Sequence, residues 1–143
     1  HGSPQLKQRI AGFRYSRDMR KVIGLIHASL SDDLLSREWR GRRRPSDHPT
    51  FGHCYLGAEA LWHLWGKRRG FYPKVISGRG WTHWFLEHQD GRIADPTSGQ
   101  WGGKRIPYER GRRCAFLTQR PSRRCRRLLG RVYYQARGSV IFR

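Results

Sequence analysis

The sequence predicts an α+β fold in which a small antiparallel sheet packs on a central helix that bears a cysteine. Three observations carry that expectation. Leu56, Ala60, Leu61, Leu64 and Trp65 recur at helical spacing with little polar interruption, as in a helix buried on most of its circumference. The run Trp81-Thr82-His83-Trp84-Phe85-Leu86-Glu87 is rich in β-formers and is closed by Asp90-Gly91; Arg92-Ile93-Ala94-Asp95 is then short enough to be its hairpin partner, ended by Pro96. Ahead of both, Met19, Val22, Ile23, Ile26 and Leu30 mark an amphipathic helix.

In chain order, that first helix spans about residues 16–29, with Ser16 and Asp18 at its start. Ser31-Asp32-Asp33 caps a short second helix carrying Leu34 and Leu35. Residues 37–49, mixed in Arg, Gly and Pro, read as a loop that delivers the chain to the central helix. Thr50 or Gly52 caps that helix, so Cys54 falls in its first turn, where unpaired N–H groups and the helix dipole favour a thiolate. A short strand around Lys74-Val75-Ile76 should pair beside the His83 strand. Residues 98–103 read as loop and 108–113 as a basic connection. Pro121-Ser122 opens a helix over 123–129 that Gly130 stops, with Cys125, Leu128 and Leu129 inward and its four arginines outward. Residues 132–135 and 140–142 read as strand.

At 143 residues the chain is one domain, expected over residues 4–143, with His1-Gly2-Ser3 set aside as a candidate tag remnant. Lysine and arginine number 30 against 10 acids, a formal net charge of +20. Self-repulsion of that size opposes compaction, so an acidic substrate or a nucleic acid is the expected partner. The excess is greatest over residues 104–143, where 13 cations face the single acid Glu109. Arg112, Arg113, Arg123, Arg124, Arg126 and Arg127 are the candidate polyanion-binding set, with Tyr133 and Tyr134 near enough to stack bases. A solvated basic face or an Arg-rich codon bias would produce the same composition. Three cysteines argue against a disulfide framework, although Cys114 and Cys125 could pair; no apolar run reaches membrane-spanning length, and the expected location is cytoplasmic.

If His83 and Asp95 lie on neighbouring strands near one face, the carboxylate accepts the imidazole N–H, and Cys54, His83 and Asp95 become nucleophile, base and orienting group. Taken singly, each has an inert reading: a core cysteine, a structural histidine between two tryptophans, an aspartate forming a turn. Their joint order points to chemistry. Trp81, Trp84 and Trp101, with Trp62, are candidate walls of the cleft. No metal or cofactor is expected. His53, Cys54, His83, His88 and Asp95 are zinc-ligand types, but the usual paired spacings are absent, and so is a Gly-rich phosphate loop.

A helix-initial Cys54, a strand His83-Trp84-Phe85 and the following Asp95-Pro96-Thr97 resemble the core of transglutaminase-like, papain-related cysteine enzymes. The resemblance covers roughly residues 50–97. It implies a papain/transglutaminase-like core and a Cys-His-Asp triad that performs acyl transfer or amide hydrolysis, with the direction of reaction open. The papain branch places an oxyanion-binding glutamine shortly before its cysteine; this chain has His48 there, so the Cys54 N–H, His48 and His53 are the oxyanion candidates. Together with Asp32-Asp33-Leu34-Leu35, Tyr108, Gly111-Arg112 and Cys114-Ala115-Phe116-Leu117-Thr118, the pattern also resembles small phage-encoded proteins, which would place the chain in a host cytoplasm. Two other expectations stand beside the enzyme: a catalytically idle nucleic-acid-binding protein, and a phage inhibitor that docks on an acidic host surface.

Overall fold

A computed structural model describes residues 16–137. Its described residues form four α-helices and a four-stranded antiparallel sheet, the α+β class that the periodicities predict. Helix α1 spans Arg17–Ser29, α2 Arg37–Arg42, α3 Cys54–Leu61 and α4 Arg123–Gln135. Strands β1 (Phe71–Gly78), β2 (Trp81–His88), β3 (Ile93–Ala94) and β4 (Arg112–Arg113) lie in the order β3-β2-β1-β4.

Helix α1 begins where the capping residues say it should: the Ser16 side chain accepts the Met19 N–H, and Met19, Val22, Ile23 and Ile26 form its buried stripe. Helix α3 is buried nearly all round, and its chain continues through a π-helical stretch at Trp62–Gly66 before Gly70 ends it in the left-handed region. One large cluster forms between α1, α3, α4 and the inner face of the sheet, where Phe71, Leu86 and Trp84 point. On the outer face Ile76, Phe85 and Ile93 are covered by Ile106 and Tyr108. Gly111 is required there, because a Cβ would lie 2.7 Å from Phe85 Cζ. Glu59, fully buried on α3, accepts both the backbone N–H (2.9 Å) and the hydroxyl (2.8 Å) of Ser122, the N-cap of α4. A carboxylate at the positive end of α4 thus welds the two helices together.

The structure corrects several sequence expectations. Residues 37–42 are helix rather than loop: Ser36 accepts the Trp39 N–H and nucleates α2. The N-cap of α3 is His53, without a side-chain cap bond, rather than Thr50 or Gly52. Gly52 instead turns the chain at φ +75°, and a Cβ there would meet Leu35 and Trp39 at 2.9 and 3.1 Å. Residues 67–79 contribute a strand of eight residues, and part of 108–113 pairs as β4 against β1. Helix α4 does not stop at Gly130 but runs to Gln135, so 132–135 is not strand. The reason is burial: Cys125, Leu128, Val132 and Ala136 continue one inward stripe across the glycine, and that outweighs its weak helix propensity. Residues 140–142 lie outside the described residues. Cys114 and Cys125 are both free thiols.

Two glycines in helices separate local propensity from packing. An added Cβ at Gly57 would lie 3.0 Å from Thr97 Cγ2 and 3.4 Å from Pro96 Cγ, whereas at Gly130 it meets nothing within 4 Å. Gly57→Ala is expected to destabilise the fold by roughly 1–3 kcal/mol through overpacking, and Gly130→Ala to stabilise it by up to ~1 kcal/mol. Urea unfolding midpoints check this; stabilisation by both substitutions would show that α3 is not held tightly against the Pro96-Thr97 turn.

Candidate active site

The sheet register brings His83 and Asp95 to one face. Leu86 pairs with Ala94 and Glu87 with Ile93, so continuing by one residue sets Asp95 opposite Phe85. His83 and Phe85 share a face of β2, which makes His83 and Asp95 diagonal neighbours within reach of each other. Their side chains meet, His83 Nε2 to Asp95 Oδ2 at 2.7 Å, and both residues are almost fully buried.

The rest of the Asp95 carboxylate is also satisfied. The Thr97 N–H donates to Oδ1 at 3.1 Å in the turn that Asp-Pro-Thr forms, and the Tyr108 hydroxyl donates to Oδ2 at 2.8 Å. His27, from the last turn of α1, hydrogen-bonds the Pro96 carbonyl and ties that turn to the helical layer. On the other side of the imidazole, Nδ1 lies 3.1 Å from Gln100 Nε2 and 3.3 Å from Trp101 Nε1. Indole is only ever a donor, so the neutral ring accepts at Nδ1 and carries its proton on Nε2, toward Asp95.

Cys54 enters where the sheet is thinnest. Strand β3 pairs only at Leu86 and Glu87, so among the described residues no strand covers the edge of β2 at Thr82 and His83. The start of α3 comes in at that edge: Cys54 is its first residue, and Sγ donates to the Thr82 carbonyl at 3.5 Å. Cys54 is thereby close enough to the His83 ring to act on its charge. Burial works most strongly on that ring and disfavours its charge, but the hydrogen bonds and charges of Asp95 and Cys54 together outweigh it and raise the His83 pKa to about 9. Cys54 is partly exposed, as is Cys114; Cys125 is fully buried, and its thiol pKa is pushed far up by burial and then by Glu59.

The remaining predicted residues divide. Trp81 and Trp101 stand edge to face at 5.4 Å, with Trp101 5.4 Å from the His83 ring. Both line a cleft of about 700 Å³ that opens beside His83. Trp84 is not a wall of that cleft. Side chains alternate along β2, so Trp84 points to the inner face, stacked on Phe116 at 5.6 Å and edge-on to Tyr55 at 4.9 Å. Trp62 joins the same inner cluster and donates to the Phe71 carbonyl at 3.1 Å.

Neither oxyanion histidine hydrogen-bonds Cys54 or His83 among the described residues. His48 pairs its Nδ1 with the Thr50 hydroxyl at 2.8 Å, and its ring packs on Gly99. His53 is 1 % exposed with both ring nitrogens unpartnered; burial, above all, lowers its pKa to about 4 and keeps it neutral, among the charges of Asp32, Arg43, Arg124 and Asp33. The backbone offers a donor instead. The first intrahelical bond of α3 is Gly57 N–H to His53 O at 2.7 Å, which leaves the Cys54 N–H among the groups without an intrahelical acceptor.

The arginines do not all face solvent as expected. Arg124 folds back to donate to the Leu34 carbonyl at 3.0 Å, whereas Arg127 stays exposed as expected and pairs with Asp33 at 2.8 Å. Arg131 and Ser31 also bind Asp33 and hold its carboxyl well below the usual range. Arg123, Arg126 and Arg112 are exposed, and Arg113 lies 4.4 Å over the Tyr72 ring. Sequence reasoning missed Gln100 and Tyr108, because their contacts with His83 and Asp95 are long-range and leave no local mark. Only the Thr97 N–H had a signal, the Asx turn that Asp-Pro-Thr favours. Compared with known proteins, the chain matches no family model, no curated protein and no solved structure. Among the described residues, no helix is long and apolar enough to cross a membrane, and no cluster of three or more His, Cys, Asp or Glu is arranged to hold a metal ion.

The raised pKa of His83 has a definite sign. Folded, it lies near 9 against an ordinary 6.5, so the ring contributes stability in full below about pH 6.5 and loses it as pH rises through 9. The stability gap between the wild type and His83→Gln is therefore expected to narrow from about pH 6 to about pH 9.5 in urea unfolding. A gap that stays constant over this range would mean that the ring does not titrate there.

Proposed function

We propose that this protein is a cysteine-dependent acyltransferase or amidohydrolase that works through Cys54, His83 and Asp95. The observation that carries this reading is the buried 2.7 Å contact between His83 and Asp95, with the thiol of a helix-initial cysteine held at the carbonyl of the neighbouring Thr82. Asp95 orients the imidazole and stabilises its charged form; His83 takes the Cys54 proton at Nδ1. The Gln100 and Trp101 N–H groups, 3.1 and 3.3 Å from Nδ1, face the neutral ring, the form that accepts a proton above the His83 pKa of about 9, and they must turn aside when Nδ1 is protonated. Sulfur then bonds the substrate carbonyl carbon, and its oxygen takes up the electron pair, facing the Cys54 N–H. The carbonyl reforms as the leaving amine or alcoholate departs with the imidazolium proton. Water or an acceptor amine, deprotonated by His83, breaks the thioester and restores the thiol.

The net charge of +20 favours acidic or nucleic-acid-associated substrates. With free thiols throughout, a reducing, cytoplasmic setting suits the chemistry. Wild-type protein mixed with 4-nitrophenyl acetate is expected to gain one acetyl group by intact mass, lost in Cys54→Ala, with acylation slowed roughly 10²–10⁴-fold in His83→Ala. Iodoacetamide should modify Cys54 well before Cys114. Equal rates at the two cysteines, or acetylation that survives Cys54→Ala, would end this reading.

A second reading, nucleic-acid binding with the triad idle, is favoured by the outer face of α4. Arg123 and Arg126 project there without an ion pair among the described residues, and Arg137 lies 4.1 Å over Tyr134, which is 63 % exposed. Such a face suits phosphates and a stacked base. On this reading, single-stranded DNA binding persists in Cys54→Ala, falls steeply with salt, and weakens more in Arg123→Ala/Arg126→Ala than in a charge-matched Arg79→Ala/Arg110→Ala control. Equal losses in the two double variants would leave only diffuse attraction.

A further inference from the structure

The cleft beside His83 has a composition that the triad does not explain. Its walls come from distant parts of the chain. Trp39 of α2 meets Phe51 edge to face at 5.5 Å on one side, and Trp81 meets Trp101 at 5.4 Å on the other. Four rings presenting faces and edges to a space of about 700 Å³ suit a flat aromatic group, in a volume that fits a small molecule or a dipeptide rather than a folded partner. The charged lining is wholly basic: Arg42, with its guanidinium 5.0 Å over the Trp39 ring, and Lys104. Arg42 makes an exposed i,i+4 ion pair with Glu38 at 3.8 Å, beyond hydrogen-bonding distance and weakened by solvent, while Lys104 has no ion pair among the described residues. Both cations are therefore available to an anion. The polar floor is the catalytic neighbourhood itself, Thr82, His83 and Gln100.

We infer that the cleft selects amides and esters of aromatic acyl groups that carry a carboxylate close to the scissile bond. The aromatic ring lies between the two ring pairs, the carboxylate meets both Arg42 and Lys104, and the carbonyl comes to the edge of β2 beside His83, where Cys54 meets the Thr82 carbonyl. This inference rests on the proposed acyl chemistry for its meaning, but not for its test, because binding needs no reaction.

The probes are N-benzoylglycine, its neutral amide N-benzoylglycinamide, the ringless N-acetylglycine, and adenosine monophosphate, titrated into Cys54→Ala at low salt while the indole N–H signals of Trp39, Trp81 and Trp101 are followed by NMR. N-Benzoylglycine is expected to shift these signals saturably and to bind about tenfold tighter than the neutral amide, with N-acetylglycine weaker still. Arg42→Ala and Lys104→Ala should each weaken N-benzoylglycine several-fold and leave the neutral amide unchanged, while Trp81→Ala should weaken both benzoyl compounds. Equal affinity for acid and amide, shifts spread evenly over all the tryptophans, or tighter binding of adenosine monophosphate would overturn the inference. Its failure is separable from that of the reaction: acetylation of Cys54 by 4-nitrophenyl acetate without acid selectivity removes only the cleft preference. Selective binding without acetylation removes only the chemistry.

Discussion

An imidazole and a carboxylate held 2.7 Å apart and sealed from water set the terms for the rest of this molecule. A buried carboxylate is costly unless its oxygens are filled, and the fold fills them from three places: His83 on β2, the Thr97 N–H in the next turn, and Tyr108 from a segment laid across the outer face of the sheet. Each donor fixes a different part of the chain relative to Asp95. The turn in turn fixes α3, because Gly57 leaves just enough room for Pro96 and Thr97 to press against the helix. The pair that orients the ring thus also locates the helix that brings the sulfur.

The geometry around the ring explains why the site opens on one side only. Tyr108 and Phe85 close the outer face, and Trp84 with Tyr55 and Phe116 closes the inner one. What stays open is the short edge of β2 beyond the reach of β3; the Gln100-Trp101 turn and the Trp81 side chain line the cleft there, and Cys54 at the start of α3 reaches the Thr82 carbonyl. Gly52 makes the approach possible from the helical side: its positive φ and missing side chain let α2 lie against the segment that leads into Cys54. The aromatic rim and basic lining of the cleft come from α2, the turn at Phe51, the start of β2 and residues 100–104 meeting at this edge.

Charge is organised as well as abundant. Asp33 gathers Arg127 and Arg131, the Leu34 carbonyl takes Arg124, and Glu59 anchors the start of α4. These pairings spend part of the positive charge inside the molecule and hold α4 against the turn after α1. They leave Arg123 and Arg126 outward, so the face available to an anion is narrower than a count of arginines suggests.

The α+β class, the helix-initial position of Cys54, the pairing of the Lys74 and His83 strands and the β2-β3 hairpin were legible in the chain, because caps, turn residues and apolar periods act over a few neighbours. The same local rules misled at Gly130, where a glycine that ends an isolated helix is overruled by buried residues on both sides of it, and at Trp84, which only the sense of the strand's alternation removes from the cleft. Gln100 and Tyr108 could not be read at all, since what they touch lies 17 and 13 residues away along the chain. The sequence by itself determined which residue types could do chemistry and on which elements they ride. The tertiary structure alone decided which of them share a face, which donors fill the carboxylate and where the cleft opens, because those depend on strand register and on contacts between segments far apart in the chain.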